Sequence, residues 1–401
     1  VVRVDAGETR VLRRARGLCP EPVDIGEGAD EIVAFGAHLK NTFAVVRGGR
    51  AFVGPHIGDL DDPQSLRHQG EALETYLRLF RARPRVAACD LHPDYASTRL
   101  GERWADEHPG ASPVVRVQHH HAHVASVMAE HGLRGEVIGV AFDGTGFGPD
   151  GTVWGGEFLV ADERRFERAG HLAAVRLPGG DLCAREGWRM VAAYLAAAGM
   201  PASAPPEWLG RPGGAFDERR WRLVTRLCGS DLAPLTSSAG RLFDAVASLV
   251  GLAHTSSFEA EAAIRLEALA RRVPAAAVDP YPVDLEGSWP VVLDAPRLVA
   301  RMAADRERGR AADEIAAAFH ESLARSIVAV CERVRSATGL SRVALGGGVF
   351  QNAILLGRTS SLLAGAGFTP YTNVRLPAND GSISLGQALV AASLAGAETG
   401  R

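Results

Sequence analysis

The chain has a single lysine. Of its 44 basic residues among 401, only Lys40 carries an ammonium, and arginine stands wherever else a cation is wanted. A guanidinium cannot copy the compact point charge of an ammonium at a tight anion site, so Lys40 is singled out as a candidate catalytic residue. Cysteine is nearly as scarce: Cys19, Cys89, Cys183, Cys228 and Cys331 are odd in number, far apart and without a C-x-x-C pair. That excludes a disulfide scaffold and a structural zinc finger, and it points to a reducing cytoplasm. An excess of either charge is also missing. Lys+Arg total 44 against 47 Asp+Glu, a formal charge of -3, so no broad field draws the chain to nucleic acid or a membrane. No run reaches the roughly 18 apolar residues of a membrane span, and the first residues lack a signal peptide's apolar core. What is present, 46% apolar residues and 45 glycines, suits a soluble globular protein of one large or two mid-sized lobes and leaves a compact enzyme open.

From Ile32 the apolar pattern predicts strands over 32–35, 42–46 and 51–54, the last two joined by the Arg47-Gly48-Gly49-Arg50 turn. A helix with Leu73, Leu77 and Phe80 on one face follows, then a buried strand over 86–90, a helix over 95–107, a strand over 114–117 and a helix from near Ala122. The order β-β-β-α-β-α-β-α then recurs. Strands over 137–142, 154–161 and 166–173 open the second copy, and a strand over 343–345, a helix over 353–364, a short strand over 369–371 and a helix over 382–394 close it. Between them lie helices over 184–198, 241–252 and 260–269, and a long one striped by Ile315, Phe319, Leu323 and Ile327. Segments 201–214 and 273–290, rich in Pro, Gly and Ala, read as loops. Two copies of one unit predict an α/β protein whose facing lobes enclose a cleft lined by glycine-rich hairpins, a natural nucleotide site. The residues before Ile32 fall outside the unit: an alternating pair over 1–4 and 10–14, then an extended linker at Cys19-Pro20-Glu21-Pro22.

Four constellations could carry chemistry. In His119-His120-His121-Ala122-His123, His119 and His123 are four apart and would share one helical face, able to chelate a metal; the alternative is a solvated polar helix start. The run from Asp143 through Gly144, Thr145 and Gly146 to Glu157 sits between two strands, where backbone N–H groups can close around phosphate, and Asp143 can bind a metal or orient a water. A glycine-rich hairpin is also simply a turn. Gly346-Gly347-Gly348 through Asn352 joins a strand to a helix, where bare backbone permits close approach by a nucleotide. Asp380 opens the last helix as an ordinary N-cap, or completes with His119, His123 and Asp143 a set of two histidines and two carboxylates that suits Fe, Zn or Mn better than Mg. Leu177 to Glu186 and Ser237 to Arg241 are turn-to-helix junctions, read as caps and surface ion pairs unless a cleft gathers them.

Together these segments resemble the hydrogenase maturation carbamoyltransferase family HypF, specifically its C-terminal module, itself similar to the tRNA threonylcarbamoyl transferases. The motifs run through nearly the whole chain: Gly36 to Thr42, His56 to Leu60, Asp90 to Tyr95, Val117 to His123, Asp143 to Glu157, Ser238 to Ala245 and Gly346 to Asn352. The resemblance implies an actin/sugar-kinase-like fold of duplicated ribonuclease-H-like lobes with helical insertions in the second. It implies lobes over 32–134 and 135–380, a closing helix over 381–401, and over 1–31 a linker and the remnant, to about Val23, of a YrdC-like domain. Acylphosphatase-like and zinc-finger domains would be missing. It further implies that carbamoyl phosphate and ATP give carbamoyl adenylate in a YrdC-like domain, separate or in a full-length HypF. This module would then pass the carbamoyl group to the C-terminal cysteine of HypE, for cyanide ligands of the [NiFe] centre.

Carried over, His119, His123, Asp143 and Asp380 become metal ligands, with Mg expected alongside nucleotide. Gly346, Gly347, Gly348 and Asn352 become nucleotide contacts, and Lys40, Thr145 and Gly146 phosphate or carbamoyl contacts. Four positions depart from the family pattern: Leu18 for a tyrosine, His38 for an acidic residue, Gly187 for a proline and Ala260 for a glycine. An O-carbamoyltransferase or a tRNA-modifying transferase of the same fold remains an alternative, although Lys40 to Thr42, His56 to Asp59 and the YrdC-like tail favour HypF. A shortened, non-catalytic paralogue that binds nucleotide or HypE is the alternative from another class.

Overall fold

A computed structural model describes residues 1–5, 8–26, 31–108, 110, 114–200, 204–210 and 216–398. The chain opens with an antiparallel pair, β1 (Val2–Asp5) and β2 (Glu8–Val11), whose connecting residues lie outside the described set. Instead of an extended linker, the following segment is docked. Buried Arg14 donates to the carbonyls of Val53, Leu18 and Glu21, and β3 (Val23–Asp24) adds an edge strand to the first sheet.

That sheet is built from β4 (Ile32–Ala34), β5 (Ala44–Arg47), β6 (Arg50–Val53), β7 (Val86–Asp90) and β8 (Val115–Val117). Their spatial order is β3-β6-β5-β4-β7-β8, antiparallel from β3 to β4 and parallel from β4 to β8. Gly48 and Gly49 both have positive φ, 57° and 73°, which makes the β5–β6 hairpin a two-residue turn matched to strand twist. Helix α1 (Pro63–Phe80) starts at Asp62, whose side chain accepts from Ser65 N; α2 (Ala96–Glu107) and α3 (His119–Glu130) follow the next two strands.

The second sheet repeats the scheme with β9 (Val137–Phe147), β10 (Val153–Ala161) and β11 (Phe166–Leu172) antiparallel. Strands β12 (Val175–Arg176) and β13 (Leu235–Thr236) form a small extension on β10. Helices α4 (Leu182–Arg185), α5 (Trp188–Ala197), α6 (Glu218–Cys228), α7 (Ala239–Leu249) and α8 (Glu261–Ala270) come next. Strands β14 (Leu285–Glu286) and β15 (Val291–Leu293) and helices α9 (Ala295–Glu307) and α10 (Ala312–Thr338) complete the insertion. The unit then resumes with β16 (Arg342–Gly346), α11 (Ala353–Gly365), β17 (Thr369–Thr372) and α12 (Ile383–Glu398). In space the order is β14-β15-β11-β10-β9-β16-β17, with β16 parallel to β9 and β17 parallel to β16. Numbered within each unit, both sheets read 3-2-1-4-5 with the same directions. The fold is the duplicated ribonuclease-H-like, actin/sugar-kinase-like architecture.

Several expected elements differ. The helix expected over 184–198 is two, α4 and α5, broken at Glu186 and Gly187. Helices α6 and α9 stand where no helix was read, although Asp217 and Asp294 cap them and Trp221, Val224, Leu298, Val299 and Met302 form their buried stripes. The 273–290 loop contains β14 and a 3-10 turn, and the 201–214 loop contains a turn at Glu207–Leu209; residues 201–203 and 211–214 lie outside the described set.

The two units exchange helices. Helix α3 packs on β9, β10 and β16 of the second sheet, while α12 packs on β4, β5 and β7 of the first and on α3 itself. One buried cluster therefore runs through both sheets, joining Ile32, Ala34 and Val46 to Ala141, Leu159 and Ala344 through Val124, Met128, Leu385 and Leu389. Gly386 makes this possible: a Cβ there would lie 1.9 Å from the Ala122 carbonyl oxygen, so α3 and α12 touch backbone to backbone. Among the described residues no helix is long and apolar enough to cross a membrane.

Candidate metal centre

The histidine run is not a solvated helix start, because α3 begins at His119 and all four histidines are buried. Gln118 caps the helix by accepting from His121 N through its own side chain. Helical periodicity then sorts the rings. His121 turns outward to donate from Nε2 to the Asp162 carbonyl at 2.7 Å, and His120 pairs through Nδ1 with the Gln118 amide at 2.9 Å. His119 and His123 share the remaining face, ring centroids 4.9 Å apart and nearly perpendicular.

That face meets Asp143 from the middle of β9 and Asp380 from the turn before α12. His119 Nε2 lies 3.3 Å from Asp143 Oδ2 and 3.9 Å from Asp380 Oδ1; His123 Nε2 lies 3.6 and 3.8 Å from the same atoms. Four donor atoms, one per residue, fall within 4.8 Å of one another. A tetrahedral ion with bonds of about 2.1 Å has donor–donor edges of about 3.4 Å, close to these separations. Two further observations fit a cation. Both ring nitrogens of fully buried His123 lack a hydrogen-bond partner, an arrangement that costs free energy unless something else binds there. The carboxylates also oppose each other: burial and the Asp143 charge raise the Asp380 pKa, whereas Asp143, despite burial, is held well below the carboxylate range by His119 and His123. Burial works against a charged His119, but Asp90, Asp143 and Asp380 outweigh it and hold its pKa well above the usual value.

Asp380 is not an N-cap. Asn379 takes that role, accepting from Gly381 N, and leaves the Asp380 carboxylate to face the histidines. Gly348 N donates to Asp143 Oδ1 at 2.9 Å, so the 346–348 loop orients one carboxylate. Gly347 has φ 101° and its Cβ would lie 2.2 Å from the Phe142 carbonyl. Gly146 leaves room for the imidazoles, since a Cβ there would approach His120 Cε1 to 2.5 Å; its neighbour Thr145 is exposed. The Asn352 side chain is already engaged: it accepts from Leu355 N at the start of α11 and donates to His320 Nε2 at 2.9 Å. Ser238 caps α7, and Arg241 pairs with Asp244. Glu186 pairs with Arg189 and Arg220, the ion-pair role expected of its junction, whereas Ser238 Oγ also donates to the Gly144 carbonyl beside Asp143, which brings its junction to the site.

Lys40 reaches the same region from the first unit, in a left-handed backbone conformation (φ 46°). Its Nζ lies 2.5 Å from Glu259 Oε1, in the loop before α8, and burial's effect on the ammonium is outweighed by Asp380, Glu259 and Asp143, which raise its pKa. Sequence reasoning gave Glu259 and Asp90 no part in the site. Fully buried Asp90 ends β7 and accepts from His119 Nδ1 at 2.7 Å. A carboxylate closing an otherwise apolar, buried strand was the available signal. His38, the departure from an acidic residue, accepts from Ala96 N, pairs with Asp61 and stacks on Tyr95. All five cysteines are free thiols, three of them buried.

Two family models match. Residues 139–387 match the one described as "Carbamoyltransferase, Kae1-like Domain, second subdomain", and residues 27–130 the one described as "HypF Kae1-like domain". "Carbamoyltransferase HypF" of Rhizobium leguminosarum bv. viciae is 42% identical over 392 residues, 96% of this chain and 48% of that protein. "Carbamoyltransferase HypF homolog" of Cupriavidus necator is 40% identical over 370 residues, 90% of this chain and 91% of that protein. Among solved structures, full-length HypF in a phosphate- and nucleotide-bound form is 36% identical with a TM-score of 0.88, covering 98% of this chain and 50% of that one. The chain thus spans about half the length of several full-length relatives that it matches.

Proposed function

The chain belongs to the carbamoyltransferase HypF family, and from that premise we propose that it transfers a carbamoyl group from carbamoyl adenylate to the C-terminal cysteine of HypE, in the cytoplasm, for hydrogenase maturation. The observation that carries the reading is the buried His119, His123, Asp143 and Asp380 cluster with its unpartnered imidazole. These four residues would hold a divalent Fe, Zn or Mn ion. Bound there, the metal supplies Lewis-acid neutralisation of the negative charge that gathers on the phosphate as AMP leaves.

The remaining work falls to the protein. Lys40, freed from Glu259, would place its ammonium on the phosphate, and the backbone at Thr145, Gly146 and Gly346 to Gly348 would admit the nucleotide closely. Asn352, already fixed to His320, would contact it from the start of α11. Asp143, its pKa held well below the carboxylate range by the two histidines, stays available as an anionic ligand at neutral pH. The HypE thiolate would form the new S–C bond at the carbamoyl carbon as the carbon–oxygen bond to the phosphate breaks, its electron pair leaving with AMP. Carbamoyl adenylate itself would come from carbamoyl phosphate and ATP at a YrdC-like domain. The bound nucleotide and phosphate named for the solved full-length relative support this substrate class.

The test is incubation with HypE, ATP, carbamoyl phosphate and a YrdC-like domain, followed by mass spectrometry of the HypE C-terminus. A carbamoyl adduct on the cysteine is expected, and its loss, together with bound metal, when His119 and His123 are both replaced by alanine. Transfer by that double variant at the wild-type rate would refute the assignment.

A further inference from the structure

We propose that Asp90 is the positioning residue that commits His119 to the metal, by fixing its tautomer and ring orientation; the inference rests on the ligand set proposed above. The two histidines of that set are held very differently. His119 is fixed at both nitrogens: Nδ1 meets Asp90 Oδ2 at 2.7 Å and Nε2 points at Asp143. Neither nitrogen of His123 has a hydrogen-bond partner, and nothing comparable to Asp90 stands behind its Nδ1. A carboxylate oxygen accepts, so His119 presents N–H at Nδ1, which makes Nε2 the nitrogen that faces the two carboxylates and would bind a cation in exchange for its own proton.

Asp90 is suited to this task because it cannot move. It lies at the end of a fully buried strand and is itself 0% exposed. Its other oxygen, Oδ1, accepts from His92 N at 2.9 Å, and its backbone carbonyl accepts from Thr98 Oγ1 at 3.2 Å. Strand β7 of the first unit therefore sets the orientation of a ligand on the helix that the second sheet holds. A ligand oriented in this way keeps its geometry without the metal and is a stronger base when the metal binds. His119 is then the fixed ligand and His123 the adjustable one.

The experiment measures Zn(II) and Co(II) affinity by chelator competition, the visible spectrum of the Co(II) form, and thermal melting of the metal-free protein, for wild type, Asp90→Asn and Asp90→Ala. Asparagine keeps the size and the bond from His92 but can turn its amide donor to His119 and stabilise the opposite tautomer. Affinity is expected to fall roughly 10–100-fold in both variants with an altered Co(II) spectrum. In Asp90→Asn the metal-free melting curve stays close to wild type. Wild-type affinity and spectrum in both folded variants overturn the role of Asp90 while leaving the ligand set standing. A fall in metal-free stability with unchanged affinity likewise overturns it, as a merely structural carboxylate. A wild-type protein that binds neither ion stoichiometrically overturns the ligand set and the inference together.

Discussion

Ala260 occupies a position whose backbone asks for glycine. Its φ of 61° and ψ of 11° place it in the left-handed region, directly after Glu259, the partner of Lys40. A Cβ in that conformation costs roughly 1–2 kcal/mol, partly offset because alanine restricts the unfolded chain more than glycine does. Ala260→Gly is therefore expected to raise the denaturation midpoint, by about 0.5 kcal/mol in stability, and Ala260→Val to lower it; chemical denaturation of the three proteins decides the order. The departure at this position was legible in the sequence, but its consequence was not, since only the backbone angle shows that glycine is the unstrained choice. At the same scale, the i, i+4 spacing of His119 and His123 was enough to expect one helical face. No spacing could show that Asp90, nearly thirty residues earlier, would stand behind His119, or that Glu259 would reach Lys40.

The helices α3 and α12 meet at a contact that a single methyl group should disrupt. Gly386→Ala would drive Cβ into the backbone of Ala122, which lies between His119 and His123, and neither helix can yield by a side-chain rotation. A loss of about 3 kcal/mol, the upper end for overpacking, is expected, with weaker metal binding because the histidine face shifts. Gly357→Ala, at an exposed position of α11, is the matched control: nothing lies within 4 Å, so helix propensity should act alone and stabilise by up to about 1 kcal/mol. Equal effects in thermal melting would contradict the close-contact argument. Most elements were readable because their pattern is strong, an unbroken apolar run in β7 or the Ile315 to Ile327 stripe of α10. Helices α6 and α9 each follow a Pro- and Gly-rich segment that obscures their start, although each has an Asp cap and a buried apolar stripe. The short strands β12 to β15 have two or three residues each, too few to show alternation.

Acid should destabilise the whole molecule before ordinary carboxylates protonate. His320 is buried in α10, donating from Nδ1 to the Ala316 carbonyl and accepting at Nε2 from Asn352, so a second ring proton has no acceptor. Burial lowers its pKa from 6.5 to about 4. The unfolded chain thus takes up a proton that the folded one refuses. Its stabilising contribution is complete above pH 6.5 and is lost as the pH falls towards about 4, amounting to about 3 kcal/mol. His120 and His121, also lowered by burial, act in the same direction. In the metal-free protein His119, whose pKa is raised, acts oppositely: its contribution is present below its unfolded pKa and is lost as pH rises through its folded one. Unfolding free energy measured across this range should slope upward with pH, and the slope should flatten in His320→Gln; an unchanged slope would exclude His320 as its source. Within the chain, apolar periodicity and turn chemistry alone determined the order of strands and helices in both units, and hence the duplicated α/β fold. Tertiary structure alone decided that each unit's last helix covers the other unit's sheet and that a buried strand's carboxylate stands behind one histidine. The helix exchange depends on contacts such as Gly386 on Ala122, between residues more than two hundred positions apart, and the Asp90–His119 contact joins different elements; neither kind leaves a periodic trace in a sequence.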